Sequence, residues 1–84
     1  MDSGWYAFAE MCQKEFERCT FQTDLVQACG GNEDIACAAY FHLRDDAVDW
    51  LSRSIPSLGG RVPISLIDEG HGDEVRHCLW AFPC

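Results

Sequence analysis

Positively charged residues are scarce in this sequence, and their scarcity argues against direct binding to nucleic acid. Only 6 of the 84 residues are Lys or Arg, against 14 Asp and Glu, and the net charge is −8. The cations are scattered, and none lies between Arg18 and Arg44. A domain that binds a duplex neutralises several phosphates with clustered Lys and Arg. A basic protein is therefore the more natural partner, although the same charge could serve only to keep a small domain soluble.

A long apolar run is also missing, which argues against a membrane-spanning helix. No stretch approaches the ~20 consecutive apolar residues that cross a bilayer. The first residues, "MDSGWYAFAEM", begin with an acidic side chain and do not resemble a secretory signal. We therefore expect no membrane partner and a location in the bacterial cytoplasm.

Close pairs of metal ligands are absent, although the chain is rich in cysteine. None of the six cysteines belongs to a C-x-x-C pair. His71, His77, Cys78 and Cys84 match no standard spacing of a zinc site. Because a cytoplasm is reducing, we expect the cysteines to be free thiols. We expect no bound metal and no cofactor.

Sequence motifs of catalysis are missing as well. The chain has no nucleophile elbow, no phosphate-binding loop and no H-E-x-x-H helix. His77 and Cys78 are neighbours, so on a helix their side chains would point about 100° apart. That separation does not suit a base and its nucleophile. We therefore do not expect an enzyme.

The chain does contain a strong helical pattern. Apolar residues make up 48% of the sequence, and they recur three or four positions apart, as on one face of a helix. No segment alternates for long enough to indicate a strand. The pattern predicts an all-α single domain over residues 1–84 with about five helices, and the helices within residues 1–35 have no assigned role.

A cluster of proline and glycine interrupts this pattern and predicts a connection between two helices. Pro56 should end the helix before it, because the residue preceding a proline avoids helical geometry. Leu58 is expected to pack on the core, and Gly59-Gly60 either to supply backbone conformations closed to other residues or to let two segments approach closely. Pro63 suits the first turn of the next helix.

The same cluster belongs to a longer ordered motif. Trp50-Leu51 is followed by x-P-x-L-G-G-R-x-P over residues 55–63, which includes Arg61, then by Ile67-Asp68 and Gly72. Over residues 36–80 the chain resembles the C-terminal toxin-binding domain of the MbcA/ParS/Xre antitoxins. The resemblance implies a small helical domain that blocks the active site of a RES-type toxin, an enzyme that consumes NAD or transfers ADP-ribose from it.

The resemblance also implies a helix-turn-helix upstream, of which residues 22–35 show only a faint version. The candidate recognition helix would begin with Glu33 and Asp34 and would contain no Lys or Arg. That charge has the wrong sign for a helix facing phosphates. We interpret this segment as two packed core helices.

The end of the last helix is the candidate partner-binding surface. Trp80 lies off the apolar stripe of that helix, and exposed tryptophans often anchor protein interfaces. We expect the contact surface to be formed by the last residues of the chain: Leu79, Trp80, Phe82, Pro83 and Cys84. Trp50, Leu51 and Leu58 are expected to hold the fold together instead.

An alternative is a phage-encoded anti-CRISPR or other anti-defence protein. Its carboxylates would stand where phosphates lie in a basic groove of a defence effector. Asp45, Asp46 and Asp49 are the candidate acids for this mode. Both hypotheses require a protein partner, either a toxin or a defence effector, and a homodimer is left open.

Overall fold

The computed structural model describes residues 3–82, which form six α-helices, two 3-10 turns and the loops that join them. Within these residues no strand forms, and one isolated bridge joins Ile55 to Arg61. The predicted all-α fold is confirmed, with six α-helices where about five were predicted. The helices are α1 (Ser3–Phe16), α2 (Gln22–Ala28), α3 (Glu33–Leu43), α4 (Ala47–Leu51), α5 (Pro63–Asp68) and α6 (Gly72–Trp80), and the 3-10 turns are Arg44–Asp46 and Pro56–Leu58.

Helix α3 lies at the centre of the fold. Residues 35–40 are all buried, and α1, α2, α4 and α6 all pack against this helix. Ala36, Ala38 and Ala39 are small enough to let these neighbours approach closely. Because α3 is covered on all sides over these residues, it has no free face for a DNA groove, which agrees with the interpretation of α2 and α3 as core helices.

One hydrophobic core joins the N-terminal helices to the rest of the fold. Trp5, Ala9, Cys12 and Phe16 form the buried stripe of α1, with the spacing of four, three and four that places side chains on one helix face. The same core continues through α3, α4 and α5 to Leu79 of α6. Full burial of a large apolar side chain is worth roughly 1.5–3 kcal/mol, so α1 contributes substantially to stability.

The cysteines occupy positions of small buried hydrophobes. Cys12, Cys19, Cys29 and Cys37 are buried free thiols, as predicted. Burial raises the pKa of the Cys12 thiol to about 11, and it is the main cause of pKa values of about 12 for Cys29 and Cys37. Such thiols are almost wholly protonated near neutral pH and are poor nucleophiles. The Cys84 prediction lies outside the described residues.

No helix in the described part of the chain combines the length and the apolar character needed to span a bilayer.

Candidate protein-binding surface

The proline–glycine connection folds as predicted. Pro56 starts a 3-10 turn, and Gly59 and Gly60 follow it with φ angles of 68° and 79°. The Gly60 N–H donates to the Ile55 carbonyl at 3.0 Å, which closes the turn. Leu58 points into the core and is only 5% exposed. Because positive φ is costly for residues with a side chain, the two glycines set the shape of this loop.

Arg61 attaches this loop to α6. Its Nε donates to the Leu58 carbonyl at 2.9 Å, and its guanidinium forms an ion pair with Glu74. Both side chains of the pair are about half exposed. The pair therefore stands at the surface where the loop meets the helix.

A cleft of about 520 Å³ lies between the loop and α6. Its apolar lining comes from the nearly buried Leu58 and Cys78, together with Gly59 and Ala81. Its charged and polar lining consists of Ser57, Arg61, Asp73, Glu74 and His77. An apolar base with a charged edge is the usual composition of a recognition site. This cleft was not predicted from the sequence, because its two walls come from different elements.

Trp80 lies beside the cleft. A second hollow, of about 320 Å³, is lined by His77, Trp80 and Ala81, and so shares His77 and Ala81 with the cleft. Trp80 is 37% exposed, as its position off the apolar stripe predicted. Its inner edge contacts Trp5, with ring centroids 6.4 Å apart and planes at 68°. We refer to Trp80, His77, Ala81 and the cleft together as the α6 surface.

The structure corrects the expectation for the neighbouring apolar residues. Leu79 is 0% exposed, so its assignment to the contact surface was wrong, because this side chain is part of the hydrophobic core. Phe82 is half-buried, and its ring stacks on His42 at a centroid distance of 4.8 Å. The predicted contacts Pro83 and Cys84 lie outside the described residues.

His42, on which Phe82 stacks, occupies an aromatic environment. Its Nε2 atom is buried and has no hydrogen-bond partner within residues 3–82. Burial lowers the pKa of this imidazole, and a hydrogen bond involving the Leu79 backbone opposes the shift. The neutral ring is therefore favoured, and it serves as packing for the last turn of α6.

A polar network holds α6 against α3 and α1. Arg76 Nε donates to Asp34 Oδ2 at 2.7 Å, and Trp5 Nε1 donates to the same oxygen at 2.9 Å. Arg76 also donates to Asn32 Oδ1 at 3.0 Å and to Asp73 Oδ1 at 2.9 Å. The Arg76 and Asp34 side chains are only 15% and 21% exposed. This network positions the helix that carries Trp80.

The network also shifts the pKa of Asp34, and it binds the side chain of Asn32. Burial by itself would raise the pKa of Asp34, but the hydrogen bonds from Arg76 and Trp5 and the charge of Arg76 lower it overall. Asn32 directly precedes α3, but its side chain does not cap the helix. It donates instead to the Cys29 carbonyl at 2.7 Å.

The three acids of the alternative hypothesis lie on one short segment. Asp45 and Asp46 are exposed in the 3-10 turn before α4, and Asp49 is exposed on α4 itself. Asp49 forms an ion pair with Arg53, four residues further on. None of the three lines the cleft. Across residues 3–82 no three His, Cys, Asp or Glu side chains are grouped so that they could hold a metal ion.

Comparison with known protein families identifies the family of the region that contains the α6 surface. The family model of the antitoxin Xre/MbcA/ParS C-terminal toxin-binding domain matches residues 36–82, more than half of the chain. The chain belongs to this family. No curated protein and no solved structure gives a significant match.

The matched toxin-binding domain begins at the buried centre of α3 and includes the proline–glycine loop and all of α6. Membership in a toxin-binding family implies a protein partner and a toxin-neutralising role. The family match confirms the resemblance drawn from the Trp50-Leu51 pair and the residue 55–63 motif. Helices α1 and α2 lie before the matched region, but α1 shares its core.

Proposed function

We propose that this protein neutralises a RES-type, NAD-consuming toxin by stoichiometric binding through the α6 surface. The observation that carries this proposal is the exposed Trp80 beside an apolar cleft, both within the family-matched residues. A large exposed aromatic side chain that can be desolvated by a partner is the usual anchor of a protein interface.

Binding without catalysis accounts best for the chemistry of this surface. His77 is exposed, whereas its neighbour Cys78 is buried in the core. The two side chains therefore leave α6 in different directions and do not form a base–nucleophile pair. The remaining cleft residues can supply apolar contact and ion pairs, which suit recognition.

The test is the affinity of Trp80→Ala for a purified, catalytically inactive RES-type toxin from the native host. We expect a loss of about 2 kcal/mol, or roughly thirtyfold in Kd by isothermal titration calorimetry. Tyr6→Ala is the matched control, because Tyr6 is 54% exposed and lies on α1, before the matched region. Circular dichroism must show that both variants retain the helical fold. The proposal would be contradicted if the wild-type protein did not bind the toxin, or if Trp80→Ala bound it with the same affinity as the wild type.

The acidic segment supports a second candidate function. Asp45, Asp46 and Asp49 are all exposed in one short stretch, as an anti-CRISPR or other phage-encoded inhibitor that imitates phosphates would require. In that case, replacing the three acids by Lys abolishes inhibition of the effector, and Trp80→Ala does not. The affinity of such a complex should also fall steeply between about 50 and 500 mM salt, whereas that of an apolar toxin interface should fall much less.

A further inference from the structure

We infer that the cleft between the Pro56–Leu58 turn and α6 receives an apolar side chain of the toxin that is flanked by Lys or Arg. This inference rests on the proposed function and adds the chemistry of the segment that is recognised. It follows from three properties of the cleft: its apolar base, its charge and its fixed shape.

The base of the cleft suits an apolar side chain. Leu58 and Cys78 are nearly buried, and with Gly59 and Ala81 they give the base of the cleft a mainly apolar lining. A volume of about 520 Å³ falls within the range of sites that enclose small ligands or side chains. Covering this surface removes apolar area from water, which is the main driving force of association.

The charge at the edge of the cleft favours a cation beside that side chain. Among its lining residues, Arg61 carries one positive charge and Asp73 and Glu74 carry two negative charges. Glu74 is paired with Arg61, and Asp73 is paired with Arg76, which does not line the cleft, so the lining residues together carry one net negative charge. The whole chain carries a net charge of −8. An approaching Lys or Arg is therefore attracted at long and short range, and an acidic segment is repelled.

The cleft is formed before a partner arrives. Gly59 and Gly60 hold the turn in its left-handed conformation, and the Arg61–Glu74 pair joins the turn to α6. On the other side of α6, Arg76 is bound to Asp34 of α3. A partner therefore loses little affinity to ordering this site.

Two charge variants test the electrostatic part. Glu74→Gln and Arg61→Gln each remove the same ion pair, but they change the charge of the cleft in opposite directions. With the catalytically inactive RES-type toxin as the probe, we expect both variants to lose the contribution of the ion pair to the shape of the cleft, and Glu74→Gln to bind about 2–5-fold more weakly than Arg61→Gln, because only Glu74→Gln removes a negative charge. Equal losses would show that the pair is only structural, the reverse order would indicate an anionic segment, and no change in either would exclude charge recognition. Each of these three results overturns the inference.

A bulky substitution tests the apolar part. Ser57 is exposed and lines the cleft, so Ser57→Trp should fill it and weaken toxin binding by at least about tenfold. Ser65→Trp is the control, because Ser65 is exposed on α5 and does not line the cleft. Unchanged affinity of Ser57→Trp overturns the inference, provided that its melting temperature matches that of the control.

These results are distinguishable from failure of the proposed function. If the wild-type protein does not bind the toxin, the proposed function fails and the inference fails with it. If the wild type binds and Trp80→Ala loses affinity, but the cleft variants bind normally, only the inference is wrong.

Discussion

Replacing Asp34 by alanine should lower the free energy of unfolding by about 3 kcal/mol. The variant removes the carboxylate that accepts hydrogen bonds from Arg76 at 2.7 Å and from Trp5 at 2.9 Å. Hydrogen bonds to charged groups contribute about 1.5–3 kcal/mol each, and breaking a buried ion pair costs about 3–5 kcal/mol. Because Arg76 keeps its bonds to Asn32 and Asp73, the expected loss lies at the lower end of the range for a buried ion pair.

Chemical denaturation followed by circular dichroism measures this loss directly. In a domain of this size, about 3 kcal/mol corresponds to a fall of roughly 12–24 °C in Tm. Asp68→Ala is the control, because Asp68 is exposed at the end of α5, and it should change stability by less than about 0.5 kcal/mol. A loss below about 1 kcal/mol in Asp34→Ala would refute the assignment of this network as a polar connection that holds α6 against α3 and α1.

The pH dependence provides a second check on the same residue. The pKa of Asp34 is lower in the folded protein than its ordinary value of 3.8. A carboxylate of this kind stabilises the fold fully above its unfolded pKa and loses that contribution as the pH falls through its folded pKa. The difference in stability between wild type and Asp34→Ala should therefore be constant near neutral pH and shrink in acid below about pH 4. If the difference in stability between wild type and Asp34→Ala were the same in acid as at neutral pH, the charge of Asp34 would not be the source of its contribution to stability.

Two further predictions concern the loop and the thiols. Gly59→Val should destabilise the fold by about 1–3 kcal/mol, because Gly59 has a φ of 68°. Gly59→Asn should cost less, since asparagine tolerates the left-handed region. Equal Tm values for wild type and Gly59→Val would contradict the conclusion that the two glycines set the shape of the loop. Cys12, Cys29 and Cys37 should react with a thiol reagent at about pH 8 roughly 100-fold or more slowly in the native state than in concentrated guanidinium, because burial raises their pKa values to about 11, 12 and 12. Peptide mapping by mass spectrometry would assign the rates, and fast native labelling of all three would show that the core is more open than the structure indicates.

The sequence was most informative where the decisive interactions are local. Pro56, Leu58 and Pro63 have the positions predicted for them, because a proline restricts its own residue and its neighbour whatever the rest of the fold does. Positive φ was one of the two explanations predicted for Gly59-Gly60, and the structure shows it at both residues, where glycine is favoured because it lacks a Cβ atom.

Two neighbouring residues at the end of α6 show what helical periodicity does not predict. Leu79 and Trp80 are both large and apolar, yet Leu79 is fully buried and Trp80 faces solvent. Helical periodicity shows only that they point in different directions. Which of the two directions is covered depends on the elements that pack against α6 only in the folded molecule.

The amino-acid sequence by itself determined the all-helical class, the form of the proline–glycine loop and the family, because these depend on periodicity and on an ordered motif of nearby residues. Only the tertiary structure decided the network and the cleft. Asp34 and Arg76 are 42 positions apart, and the cleft forms between a turn and a helix that meet through Arg61 and Glu74. Contacts of this kind depend on which helix faces meet in the folded core, and no local preference of the chain specifies them.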